Sequence, residues 1–447
     1  MNMINANPSV EAHYEALEAQ WNSVNGSLQF ERLVVPTGNS DSPFHRWFHL
    51  KEAFSRDLLP TMLKQLSFEG MPELKVLDCF AGGGTTLVSA LELSSQVRVS
   101  ATGIERNPFL HHVSSSKVMA LQAGPALAQQ LRRAYAKIER LYTSDTPFVA
   151  DTPALSTFSN EAYFPPVLLT SLLRIKAAIE HCDVSTPTRD LLLTAAASCV
   201  ESSSRLRRDG RALRYASERQ PREPWVEFSI RVQQMIEDTE SSLSTTGFAS
   251  VILGDGRRPL QHIDESDKKD LVVFSPPYPN NIDYTEIYKT EAWYLGFYED
   301  ADQFRSQRFR TLRSHPSVRF SDEYDYESSG DAEAVHELLK PILDAVPEDR
   351  YATGRRQLIK GYADDMLTLF RHCRKIISSE GRLVYVVGNS AHGSGNGLFV
   401  IAADLIMARL AELANWHVEE ISVARSLRRR VTNSHFLRES VVTLSPS

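Results

Sequence analysis

The sequence predicts an α/β fold: a doubly wound, mostly parallel sheet of seven strands with helices on both faces and an inserted helical module. Three observations predict it. Short apolar runs alternate with segments of helical apolar spacing on either side of the middle of the 447-residue chain. The first run ends in a glycine turn that opens a helix. A central block, about 126–245, has helical spacing and few β-branched runs.

Residues 1–43 form a polar N-terminal extension, with a helix expected over Val10–Trp21. The aromatic text from Arg46 to Ser55 leads into an amphipathic helix ending at Leu66. Leu74–Phe80 reads as a buried strand, Thr85–Leu93 as a helix and Val99–Ile104 as a second strand, after which Asn107-Pro108 punctuates a helix start. The helical block breaks near Asp145–Phe158 and across Arg205–Pro224. Ala249–Leu253 and Leu271–Phe274 are strands again, and 299–355 is charged and irregular, an excursion expected to be mobile. A helix over Gln357–Ser378, a strand over Arg382–Gly388 and a helix over Leu398–Ala414 follow. His417–Val423 and Ser440–Leu444 complete the seven strands as an antiparallel hairpin.

Composition is that of a globular protein, 42% hydrophobic and 23% charged. No apolar run approaches the roughly 18 residues of a membrane span. The segment Met1–His13 lacks the basic-then-apolar pattern of a secretory signal. Cys79, Cys182, Cys199 and Cys373 show no CxxC or Cys/His spacing, which argues against a disulfide framework or zinc site and for a reducing cytoplasm. His45, His111 and His112 have no metal-like arrangement, so no metal is expected. The net charge of −7 does not advertise a polyanionic partner. Three arginine clusters do: Arg205, Arg207, Arg208, Arg211, Arg214, Arg219 and Arg222; Arg305, Arg308, Arg310 and Arg313; and Arg425, Arg428, Arg429 and Arg430.

Two motifs carry chemistry. In Phe274-Ser275-Pro276-Pro277-Tyr278 an apolar strand ends in a hydroxyl, two rigid prolines and an aromatic ring. Proline fixes φ and has no N–H, so the exit is stiff, with carbonyls free to face a cleft beside Tyr278. That suits gripping a flat base and bonding its exocyclic amine. In Asp78-Cys79-Phe80-Ala81-Gly82-Gly83-Gly84-Thr85-Thr86 a glycine turn joins a strand to a helix. A phosphate loop needs a Lys before the Ser/Thr, and none is present. A dinucleotide fingerprint wants a third glycine where Leu87 stands, which disfavours a nicotinamide dehydrogenase. The remaining option is a cofactor without a pyrophosphate, such as S-adenosylmethionine, with Asp78 addressing its amino-acid end. Glu105 ends the second strand, where a carboxylate can accept from both ribose hydroxyls. Asp255, between Gly254 and Gly256, can meet an adenine amine or serve only a turn. Asn280, Asn281, Asp283, Tyr284 and Glu286 can shape a pocket or cap a helix, and capping is the preferred reading of Asp283.

Together these pieces resemble the S-adenosylmethionine-dependent DNA amino-methyltransferases, on the glycine loop, on Ser275-Pro276-Pro277-Tyr278 and more weakly on Gly103-Ile104-Glu105, Phe44–Ser55, Gly388-Asn389-Ser390 and Arg438-Glu439-Ser440-Val441-Val442. The resemblance spans roughly 44–120 and 250–445. It implies a Rossmann-like methyltransferase sheet, with 44–125 as the cofactor-binding half and 246–447 as the catalytic half. The cofactor-binding set is Asp78, Phe80, Ala81, Gly82, Gly84, Thr85, Thr86, Glu105, Asn107 and Asp255, and the catalytic set is Ser275, Pro276, Pro277 and Tyr278. In this family an amine of DNA attacks the sulfonium methyl directly. Ser at the first loop position leans toward cytosine-N4 over adenine-N6, whereas the order of the two loops is the reverse of the common cytosine-N4 order. Cytosine-C5 chemistry needs a Pro-Cys, and the chain has none.

DNA is thus the expected partner. The helical block is the candidate recognition module through Arg205, Arg207, Arg208, Arg211 and Arg214, with Arg428 and Arg429 as further contacts; the excursion 303–355 is the other candidate. A restriction endonuclease would be a separate protein, since no nuclease motif is evident. The alternatives are an adenine-N6 enzyme, an RNA guanine-N2 enzyme, and an inactive nucleic-acid-binding protein of the same fold.

Overall fold

The computed structural model describes residues 7–68, 70–95, 97–145, 148–209, 213–243, 245–393, 397–427 and 434–447. Its strands are β1 (Ser23–Asn25), β2 (Glu73–Asp78), β3 (Arg98–Glu105), β4 (Leu206–Arg208), β5 (Leu213–Tyr215), β6 (Phe248–Leu253), β7 (Lys269–Phe274), β8 (Ile377–Gly388), β9 (Ser390–His392), β10 (Phe399–Ile401), β11 (Trp416–Ser426) and β12 (Arg438–Pro446). Eight of them form the central sheet, in the order β1-β11-β12-β8-β7-β2-β3-β6. The seven expected strands all form, and the eighth is the short edge strand β1, parallel to β11.

The sheet is a Rossmann-like α/β arrangement. β7, β2, β3 and β6 run parallel, β8 runs parallel to β7, and β12 enters antiparallel between β8 and β11. The chain builds outward from β2 through β3 to β6, then returns to the other side of β2 to lay down β7. That reversal opens a crevice at the carboxyl ends of β2 and β7.

Period-two alternation explains why both faces are covered. On β7, Leu271 and Val273 join one apolar cluster while Val272 and Phe274 join the other; on β8, Val384 and Val386 oppose Leu383, Tyr385 and Val387. The helices of the central block, Ala126–Thr143, Pro166–His181, Thr186–Ser198 and Pro224–Glu240, share the first cluster: Leu131, Ile175, Leu191 and Phe228 pack in it with β2 and β7. Among the described residues no helix is long and apolar enough to cross a membrane.

Three local expectations are corrected. The stretch 299–355 is not simply irregular: it holds the helices Ala301–Phe309 and Ala332–Asp344 and the start of Ala352–Ile376. Its apolar stripe, Val335, Leu338, Leu339 and Ile342, is buried, while the charges that make the text look irregular occupy the other faces. Leu398–Ala414 splits into β10, paired with β9, and the helix Ala403–Leu413, because Phe399, Val400 and Ile401 favour a strand.

The third correction concerns the arginines. β4 and β5 pair antiparallel as a two-stranded ribbon. Arg208 is buried inside it: its guanidinium pairs with Glu201 and with the buried Glu291, donates from Nε to the Ile287 carbonyl at 3.2 Å, and lies 4.9 Å from the Tyr288 ring centroid. It is a structural tie and cannot reach a phosphate. Arg214 pairs with Asp209, Arg205 donates to the Ala162 carbonyl, and Arg207 is exposed. Arg211, Arg428 and Arg429 lie outside the described residues. Replacing Arg208 with Met leaves the Glu291 carboxylate buried without its cation. This variant should lose about 3–5 kcal/mol of unfolding free energy in a denaturant titration, whereas Arg207→Met should fall within about 0.5 kcal/mol of wild type.

Candidate active site

The glycine turn is held by two carboxylates. Asp78, at the end of β2, is buried and accepts from the Phe80 N–H at 2.9 Å and from the Thr86 hydroxyl. Glu105, at the end of β3, accepts from the Gly82 N–H and the Asn107 N–H, each at 2.7 Å. Burial pushes the Asp78 carboxyl up to about 6 and the Glu105 carboxyl up to about 7, against the opposing pull of those hydrogen bonds. Gly82 and Gly84 have φ of +51° and +84°, the left-handed region where glycine costs least. Asn107 caps the helix Pro108–Ala123 through Phe109 N–H at 3.0 Å. Asp255 is occupied by Arg257, whose Nε donates at 2.9 Å, and that pairing holds its carboxyl below the usual range against the cost of burial. The neighbouring Gly256 is obligatory, because a Cβ there would sit 1.8 Å from the Cys79 carbonyl oxygen.

Across the crevice, β7 ends at Phe274 and the chain turns through Ser275-Pro276-Pro277-Tyr278. The Tyr278 hydroxyl donates to Glu439 Oε1 at 2.7 Å and receives a bond from Ser275 Oγ at 3.2 Å. One side of the Tyr278 ring lies on Gly388, where a Cβ would come within 2.7 Å of Cε2. The Pro279 carbonyl accepts from Ser390 Oγ at 2.6 Å, which pins the loop to β9. Proline rigidity and these tethers fix the loop without help from a ligand.

Both loops line one cavity of ≈ 360 Å³, within the usual range for a small-molecule site. Ser275, Pro276, Pro277, Tyr278, Asp78, Phe80, Ala81, Gly82, Thr85, Glu105, Asn107 and Asp255 all face it. Gly84 and Thr86 do not: Gly84 allows close packing on Ser114, and the buried Thr86 is consumed by Asp78. Of the residues after Tyr278 read as able to shape a pocket, Asn280, Asp283 and Tyr284 line it and Asn281 and Glu286 do not; the rest of the wall was not legible as such. Leu50, Glu52 and Phe54 come from the aromatic-rich segment, Arg257 follows Asp255, His315 flanks the proline loop, and Arg425 and Glu439 arrive from β11 and β12. Asp283 caps the short helix Tyr284–Ile287 through Thr285 N–H at 3.0 Å and also faces the cavity.

The walls fit an adenosyl sulfonium cofactor. A glycine turn lines the cavity beside a strand-end carboxylate suited to a diol. Apolar Leu50, Phe54 and Leu110 offer a surface for a flat ring. Among the described residues no group of three or more His, Cys, Asp or Glu could hold a metal ion.

No protein-family model matches the chain. It is 24% identical over 434 residues to the Type II methyltransferase M.AvaI of a Nostoc species, covering 88% of this chain and 83% of that protein. It is 23% identical over 429 residues to the Type II methyltransferase M.BsoBI of Geobacillus stearothermophilus, covering 85% and 80%. Superposition on the rRNA methyltransferase aviRa of Streptomyces viridochromogenes gives a TM-score of 0.30 at 10% identity, over 88% of this chain and 85% of that one; that likeness is too distant to bear on the site. The resemblance to S-adenosylmethionine-dependent DNA amino-methyltransferases, drawn from two loops, therefore extends through relatives across most of the sequence. The chain is a Rossmann-like, S-adenosylmethionine-dependent methyltransferase similar to the type II methyltransferases.

Proposed function

We propose that the chain methylates DNA, transferring the methyl of S-adenosylmethionine to the N4 amine of an extruded cytosine as the modification enzyme of a restriction–modification pair. The observation that carries this reading is the shared cavity: the glycine turn and the proline loop face the same cleft from adjacent strands. Similarity to two type II methyltransferases over more than four-fifths of the chain supports it.

When bound, the cofactor supplies an electrophilic methyl on a sulfonium. The protein's part is to hold and polarise the amine. The ring-conjugated nitrogen of cytosine is a poor nucleophile, and its lone pair becomes available only as the nitrogen turns toward sp³ geometry. The Ser275 hydroxyl oxygen and the Pro276 carbonyl accept the two amine hydrogens and stabilise the positive charge that grows on the nitrogen. Tyr278, tethered through its hydroxyl, offers a fixed ring for the base to stack on. One amine proton is released to solvent as the methylated product forms. The serine at position 275 is the feature that favours cytosine-N4 over adenine-N6.

Two measurements test this reading. Incubation with tritiated S-adenosylmethionine and unmodified genomic DNA, followed by nucleoside analysis, should yield N4-methylcytosine. Label in N6-methyladenine, or label only in RNA guanine, would overturn the cytosine assignment. The second reads Glu105. Both ribose hydroxyls can donate to it only when it is ionised, and its carboxyl titrates near about 7. The cofactor dissociation constant should therefore rise about tenfold per pH unit below 7 and flatten above it. Glu105→Gln should bind more weakly and lose the change of slope near pH 7, in calorimetry between about pH 6.5 and 8.5.

A further inference from the structure

Glu439 belongs to neither loop. It lies on β12, 3% exposed, opposite Gly388 of β8 on one side and Arg425 of β11 on the other. Its two oxygens are divided: Oε1 accepts from the Tyr278 hydroxyl at 2.7 Å, and Oε2 accepts from Arg425 Nε at 2.5 Å. That division fixes the direction of every hydrogen bond up to the proline loop. A carboxylate beside a guanidinium has no proton to give, so the Tyr278 hydroxyl must donate to it. With its one hydrogen spent, Tyr278 can only accept from Ser275, and Ser275 must donate its own proton to Tyr278. What remains on Ser275 is an oxygen with unshared pairs and no hydrogen facing the cavity.

We propose that Glu439 is a positioning residue which, through Tyr278, sets the polarity of Ser275 and makes it an obligate acceptor for the hydrogens of the methyl-accepting amine. This rests on the function proposed above and deepens it. A serine hydroxyl free to rotate presents a donor as readily as an acceptor. A donor aimed at an amine lone pair would hold the nitrogen in an unreactive state. The relay removes that choice before substrate arrives, the kind of preorganisation that counts in an enclosed site. Arg425 contributes by occupying one oxygen of Glu439.

The amide variant makes the relay testable. In Glu439→Gln the single carbonyl oxygen is claimed by Arg425, since an NH₂ facing a guanidinium would be donor against donor. The NH₂ then faces Tyr278, whose hydroxyl accepts from it and donates to Ser275, taking one of the serine's two lone pairs and turning the serine hydrogen toward the cavity, where it opposes the amine hydrogens. With tritiated cofactor and unmodified genomic DNA, Glu439→Gln should lower kcat at least about tenfold, with KM for the cofactor and Tm near wild type.

Tyr278→Phe cuts the relay and frees Ser275 to rotate, so it should cost only about threefold. The double variant Glu439→Gln/Tyr278→Phe should return to the Tyr278→Phe level, so the second change partly rescues the first. A Glu439 that only braces the fold would give losses that add. Additive losses, or full kcat in Glu439→Gln, overturn the relay. Should the amide variant not fold, Glu439→Asp serves instead: its carboxylate stops one carbon short of Tyr278, kcat falls about threefold as in Tyr278→Phe, and adding Tyr278→Phe costs nothing more. Full activity in Glu439→Asp also overturns it. A wild-type protein that labels no DNA overturns the proposed function beneath the relay, whereas a wild type that labels DNA beside a fully active Glu439→Gln overturns the relay alone.

Discussion

Strands β2 and β7 run parallel side by side, Val76 opposite Leu271 and Leu77 opposite Val272. They are separated in sequence by almost two hundred residues, among them β3, β6 and the whole helical block. Their pairing brings the carboxyl ends of the first and fourth parallel strands to one edge. There the glycine turn after Asp78 and the proline turn after Phe274 leave the sheet in the same direction. The contact between the Phe80 and Phe274 rings, 5.5 Å between centroids and edge to face, seals the base of the two turns. The chemistry depends on this adjacency, because methyl donor and acceptor must share one cavity.

The site stores its polarity in three carboxylates, Asp78 and Glu439 buried and Glu105 half-buried. Asp78 and Glu105 spend themselves on backbone N–H groups and shape the glycine turn. Glu439 does the corresponding work on the opposite wall, through a phenol instead of an amide. The cost of burying these groups is offset by hydrogen bonds that also fix the geometry of the loops. Further out, Arg438 pairs with the fully buried Asp404 at 2.7 Å, and Asp404 accepts from Asn389 and Ser440. That network holds β12 in register beside β8, and with it the residue next to Arg438, which is Glu439.

Much of this was legible in the sequence. Short apolar runs and the glycine and proline punctuation located seven strands, the glycine turn and the proline loop. The failures have physical causes. Arg208 reads as surface charge because sequence gives no sign that Glu201 and Glu291 close around it from distant elements. The helix Ala332–Asp344 hides its apolar stripe under acidic text. Thr86 and Gly84 belong to a motif whose members divide between lining the cavity and supporting it, a division that only packing decides. Glu439 stood in a run already noted for its resemblance, yet its reach to Tyr278 spans 161 positions and follows only from β12 lying between β8 and β11.

The most direct measurement is a crystal structure of the protein with S-adenosylhomocysteine and a duplex carrying its target base. The account predicts the thioether sulfur between the Gly82 turn and the Pro276 carbonyl, the ribose hydroxyls on Glu105, and the base amine against Ser275. A ligand seated on another face of the sheet, or a target base that stays stacked away from the proline loop, would contradict it.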